Sequence, residues 1–143
     1  EQGRERFLEA PAINQHDLRG MVNCLKSGRL LWFPFDQDHG RKSSVFAPFF
    51  GIQAATLTIP SRLKKLSGCT VIFSSQYRDS NGHYHIDFES LPEFSGTDFE
   101  HDTGILNQRL ERRLRQTPSQ YMWVQGALKH DQKVKSHFTE RKK

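Results

Sequence analysis

Long apolar runs are scarce in this chain: no stretch approaches the roughly 18 residues that a membrane-crossing helix needs. No signal-peptide pattern stands in the sequence either. Cysteine is nearly missing. Cys24 and Cys69 lie far apart, in apolar or mixed settings, which gives neither a metal-ligand spacing nor a disulfide framework. Buried free thiols are therefore expected, with no metal and no cofactor. Apolar residues make up 35% of the chain, little for a complete globular domain, so a modest core with an open or membrane-facing side is expected. Internal repeats are absent, and so is a basic groove. Of the net charge of +5, residues 129–143 supply +4, with six Lys/Arg against Asp131 and Glu140. That tail carries no interleaved aromatics apart from Phe138, and no nucleic-acid partner is expected. A diffuse attraction to anionic lipid or an acidic protein fits it, as does a solvated terminus.

The length, 143 residues, suits one domain. Asp17–Ser27 reads as a helix, with Leu18, Met21, Val22 and Leu25 at helical spacing and Gly28 as its stop. Arg29–Asp36 is nearly all apolar, the pattern of a strand buried on both faces of a parallel sheet. Gln37–Gly51 reads as a loop, and Ala54–Leu66 as a helix interrupted or begun by Pro60. Cys69–Tyr77 is rich in Val, Ile and Phe, and the turn signal Asp79-Ser-Asn-Gly82 predicts antiparallel pairing with His83–Leu91. In that second strand Tyr84, Ile86 and Phe88 alternate with His85, Asp87 and Glu89, which suggests one wet face. Ile105, Leu106, Leu110 and Leu114 mark a long helix over Glu100–Gln116. Together these elements predict an α/β fold: a mixed, mainly parallel sheet flanked by helices.

The stretch richest in chemistry is Phe35–Gly40, where Asp36, Gln37, Asp38 and His39 follow the apolar run. Carboxylates and an amide at a strand end orient hydroxyls of a substrate head group; the plainer reading is a polar loop whose Asp36 bonds backbone amides. Ser44–Gly51 then brings Phe46, Phe49 and Phe50, either a plug for the core or, for at least one ring, a lipid contact. Near the start, Arg4 and Arg6 stand at alternate positions, suited to paired hydrogen bonds with a phosphate and equally to a solvated surface. Pro118-Ser-Gln-Tyr-Met-Trp123 combines a helix-start proline with two aromatics, a pattern that packing alone explains.

With Phe35–Gly40, Ser44–Gly51 and Pro118–Trp123 in this order, the chain resembles the lipid A biosynthesis acyltransferases, the lauroyl/myristoyl transferases. The resemblance covers about residues 3–123 and only the carboxyl-terminal half of that family. It implies part of a glycerolipid-acyltransferase-like fold over residues 1–128; residues 129–143, basic, polar and without periodicity, read from their composition as a disordered tail. The resemblance also implies acyl carrier protein as donor, an anionic glycolipid acceptor and a place at the cytoplasmic face of the bacterial inner membrane. By the same resemblance Arg4 and Arg6 match an arginine segment that holds the anionic substrate.

Two departures qualify the likeness. Where the family carries a basic segment containing histidine and arginine, this chain reads Val124-Gln-Gly-Ala-Leu-Lys129. The family's histidine base, with a carboxylate five positions on, is also missing: Met21, Ser44, Phe88, Ser90, Leu106, Lys135 and Lys142 occupy the fifth position after the seven histidines. No catalytic residue is therefore expected in this chain. Because it opens with Glu1 in a polar string, it reads as a piece of a longer protein. The alternative expectation is a non-catalytic or degenerate module that binds lipid or an acidic protein.

Overall fold

The computed structural model describes residues 12–37 and 43–121. In chain order the elements are helix α1 (Leu18–Lys26), strands β1 (Ser44–Phe49) and β2 (Ile52–Leu57), helix α2 (Ile59–Ser67), strands β3 (Ile72–Arg78) and β4 (Tyr84–Ser90), helix α3 (Phe99–Gln116) and a single 3-10 turn (Pro118–Gln120). β1 pairs antiparallel with β2, and β3 antiparallel with β4, as two separate two-stranded sheets. The expected mainly parallel sheet is thus corrected: among the described residues both sheets are antiparallel hairpins. Arg29–Asp36, the strand that a parallel sheet required, is irregular.

Three helices follow from local chemistry. The Asp17 side chain caps α1 by accepting from Gly20 N–H at 2.8 Å, and Asp98 caps α3 from His101 N–H at 3.0 Å. Pro60 lies in the first turn of α2, where its missing N–H costs nothing, so it starts a helix and does not kink one. The residues before it, Ala54–Leu57, belong to β2 and are all buried. Their helical composition is overridden by pairing with β1, whose Ala47 and Phe49 point inward while Phe46 and Pro48 point out.

The β1–β2 turn is made by Phe50 and Gly51, both with positive φ, 50° and 76°. A two-residue hairpin of this kind needs both, and Phe50 is a bulky residue in a region that favours glycine. Its place is fixed from three sides. The Phe50 N–H donates to Glu111 Oε1 at 2.6 Å, the ring stands edge-on to Phe49 at 4.9 Å, and the Arg115 guanidinium lies 5.1 Å from the ring centre.

α3 organises the core. Its stripe of Ile105, Leu106, Leu110 and Leu114 packs with Phe49, Ala54, Phe73, Leu91 and Phe94. From its first turn the fully buried Asp102 accepts from Ser95 N–H (2.8 Å), Ser95 Oγ (3.1 Å) and Gly96 N–H (2.8 Å), fastening the 92–98 connection. Gly96 has φ +76°, and an added Cβ would meet Lys65 N at 2.8 Å, so the connection passes α2 where only glycine fits. Midway along α3 the buried Asn107 donates to Pro48 O at 3.1 Å and to Thr56 Oγ1 at 2.9 Å, tying the helix to both strands of the first hairpin.

The second hairpin is turned over relative to a simple amphipathic reading. Its polar side meets α3: Arg109 bridges Glu89 and Glu93 at 2.7 Å each, Arg112 joins Glu89, and Arg113 joins Asp87 while stacking 4.6 Å over Tyr77. The apolar side, Ile72 with Tyr84, Ile86 and Phe88, faces outward, Tyr84 and Phe88 each 73% exposed. The alternation was legible. Which side would be wet was not, because the arginines of α3 decide it.

Candidate functional site

Asp36 and Gln37 stand at the end of an irregular segment and not, as expected, of a strand. Phe35 anchors them by packing on Phe73, ring centres 6.1 Å apart. Gln37 is exposed and Asp36 half-buried. Asp36 faces the Tyr121 hydroxyl: burial first, then the Asp36 charge and its hydrogen-bonding interaction, push the phenol well above its ordinary value. Tyr121 is therefore a neutral phenol facing Asp36 at any physiological pH. Its ring packs on the core, as do Phe35 and Phe50.

Tyr121 is held by its neighbour. The Gln120 side chain accepts from Arg78 N–H and donates to Arg78 C=O, both at 2.8 Å, as a strand would at that edge. The segment 118–121 thus connects the end of β3 to the carboxylate of Asp36. Sequence reasoning placed Pro118–Trp123 as packing and had no signal for this link, which spans more than forty positions of chain.

The three phenylalanines occupy different settings. Phe49 is fully buried in the core, Phe50 is half-buried at the hairpin turn, and Phe46 is 46% exposed on the outward side of β1. Asp38, His39, Arg4 and Arg6 lie outside the described residues, as do residues 122–143. Beside Phe35 lies a cavity of about 150 Å³. Leu25 of α1, Leu31, Trp32 and Phe33, Leu63 of α2, the run Cys69–Ser74 and Leu106 of α3 border it, and among the described residues none that lines it is charged. Among the described residues no group of three His, Cys, Asp or Glu is placed to hold a metal, and no helix is long and apolar enough to cross a membrane.

Residues 1–130 match the family described as bacterial lipid A biosynthesis acyltransferase. The chain is 35% identical over 130 residues to the lipid A biosynthesis palmitoleoyltransferase of Escherichia coli, covering 89% of this chain and 42% of that protein. It is 35% identical over 121 residues to the lauroyltransferase of the same organism, covering 82% of this chain and 39% of that protein. A lipid A biosynthesis acyltransferase of Haemophilus influenzae is 32% identical over 134 residues, covering 90% of this chain and 42% of that protein. The chain belongs to the lipid A biosynthesis acyltransferase family. It spans about two fifths of the length of these curated relatives.

Proposed function

We propose that this chain is the carboxyl-terminal part of an acyltransferase that moves a fatty acyl group from acyl carrier protein to a hydroxyl of a lipid A precursor at the inner-membrane surface. The observation that carries the reading is the family match along nine-tenths of the chain, with Asp36 and Gln37 at the end of an apolar segment and Asp36 beside the half-buried Tyr121. In the reaction the acceptor oxygen forms a bond to the acyl carbonyl carbon, the bond to the carrier's sulfur breaks, and the hydroxyl proton passes to a base. No histidine here has an acid five positions on, so the part of the family outside this chain supplies that base. This chain's share is acceptor recognition. Asp36 and Gln37, with Asp38 and His39, orient hydroxyls, while Arg4 and Arg6 pair with anionic groups and Phe46 and Phe50 offer apolar surface to an acyl chain.

The test is transfer from acyl carrier protein to a lipid A precursor, measured for the full-length enzyme and for this chain alone. The reading expects turnover by the former and none by the latter, with Arg4→Ala or Arg6→Ala raising the acceptor KM. Turnover by the chain alone, or none by the full-length enzyme, overturns it.

A further inference from the structure

The two edges of β3 are unlike each other. Bonds from Leu91 N–H to Val71 C=O (3.0 Å) and from Asp79 N–H to His83 C=O (2.9 Å) fix the odd-numbered residues as those bonded to β4. The N–H and C=O of Ile72, Ser74, Gln76 and Arg78 therefore point away from β4. Only Arg78 is satisfied there, by the Gln120 amide. Among the described residues the outward groups of Ile72, Ser74 and Gln76 have no hydrogen-bond partner. Across from this edge runs Leu30–Phe35, whose backbone likewise makes no hydrogen bond among the described residues. Its first four residues alternate between exposed and half-buried, and Leu30 is 84% exposed.

The cavity described above lies between these two segments. Six consecutive residues, Cys69–Ser74, border it, and the last three, Ile72–Ser74, belong to β3. A strand that borders a space with consecutive residues presents its edge, because facing residues alternate. The space is walled by apolar side chains and edged by unbonded peptide groups, and such groups cost free energy when left unpaired next to apolar surface. That combination matches an extended peptide, which brings its own row of donors and acceptors.

We propose that the free edge of β3, facing Leu30–Phe35, is a slot that takes one β-strand from the part of the acyltransferase polypeptide outside this chain. The occupant is argued from length: this chain corresponds to 42% of the palmitoleoyltransferase, so more than half of a family member's length remains to provide a strand. A second copy of this chain is the competing occupant. Gln120 marks the limit of the slot, since its amide already closes the edge at Arg78. The inference rests on the reading of this chain as part of a longer enzyme, but not on the chemistry assigned to Asp36.

Proline at an outward position separates pairing at the slot from folding. Ser74→Pro and Gln76→Pro each remove one outward donor and no bond to β4, and edge positions tolerate proline. Ser74→Ala is the control. The chain is co-expressed with the portion of the Escherichia coli palmitoleoyltransferase outside the matched 130 residues, and capture is measured. Backbone amide exchange of the chain alone runs in parallel. The proposal expects capture of the wild type and Ser74→Ala, and a loss of about tenfold or more in both proline variants. In the chain alone it expects slow exchange at Phe73, Ser75 and Tyr77 in all variants, with fast exchange at Ile72, Ser74 and Gln76 of the wild type. Equal capture of the proline variants, failure to capture the wild type, or concentration-dependent protection of Ser74 and Gln76 in the chain alone overturns the slot. Acyl transfer is read separately, so loss of the slot and loss of the acyltransferase reading are distinct results.

Discussion

Gln120 and Arg78 are joined by two hydrogen bonds, each 2.8 Å, in which a side-chain amide takes the place of a neighbouring strand. This clamp fixes the turn that carries Tyr121 to Asp36. Gln120→Ala removes both bonds and is expected to cost about 1–2 kcal/mol. Gln120→Glu keeps the acceptor and loses the donor, so it should cost a comparable amount with the Arg78 carbonyl left facing a carboxylate. Urea denaturation checks both; unchanged midpoints would mean that the segment docks by packing alone.

Asp102 is the polar hub of the core, fully buried and accepting from Ser95 and Gly96. Asp102→Ala leaves the buried Gly96 N–H and the part-buried Ser95 N–H without their acceptor and is expected to destabilise the fold by about 3 kcal/mol. Asp102→Asn keeps the volume but turns one acceptor into a donor facing a donor, so it should recover little. Thermal and urea unfolding of the pair decide this. Stability restored by asparagine would show that shape matters there and hydrogen-bond polarity does not.

Glu89 gives the fold an acid-dependent contribution. Burial raises its pKa, but Arg109 and Arg112 outweigh that effect and hold the carboxyl below its ordinary value of 4.5. A carboxyl with a lowered folded pKa stabilises above the unfolded value and loses that contribution as pH falls through the folded one. Wild type should therefore be more stable than Glu89→Gln at pH 7, and the difference should shrink below about pH 4.5. Denaturation midpoints at pH 7, 5 and 3.5 test it, and a gap that widens toward acid would contradict the assignment.

Local signals carried α1, α3 and the β3–β4 hairpin: the helical spacing of Leu18, Met21, Val22 and Leu25 with Gly28 as the stop, the 105/106/110/114 stripe, and the turn at Asp79–Gly82. The errors came where distant contacts decide. Arg29–Asp36 has the composition of a buried strand, yet the backbone of Leu30–Phe35 makes no hydrogen bond among the described residues. Ala54–Leu57 has the composition of a helix, yet it pairs with Ser44–Ala47, and the Phe50-Gly51 turn that brings them together is hidden by an aromatic at a position that usually takes Gly or Asn. At the candidate site, Asp36 and Gln37 were legible from their place after the apolar run. Tyr121 was not, because its role depends on a side-chain clamp to Arg78.

Two aspartates separate the claim about the site from effects on the fold. Asp36 stands at the end of the apolar run beside Tyr121, whereas Asp98 caps α3 through His101 N–H. The most direct measurement is kcat/KM for acyl transfer to a lipid A precursor by the full-length enzyme carrying Asp36→Ala or Asp98→Ala. Asp36→Ala is expected to lower it by about ten- to a thousandfold with stability nearly kept. Asp98→Ala is expected to cost about 1 kcal/mol of stability and leave turnover of the folded enzyme close to wild type. Equal turnover by the two folded variants would contradict the account of Asp36 as part of the acceptor site.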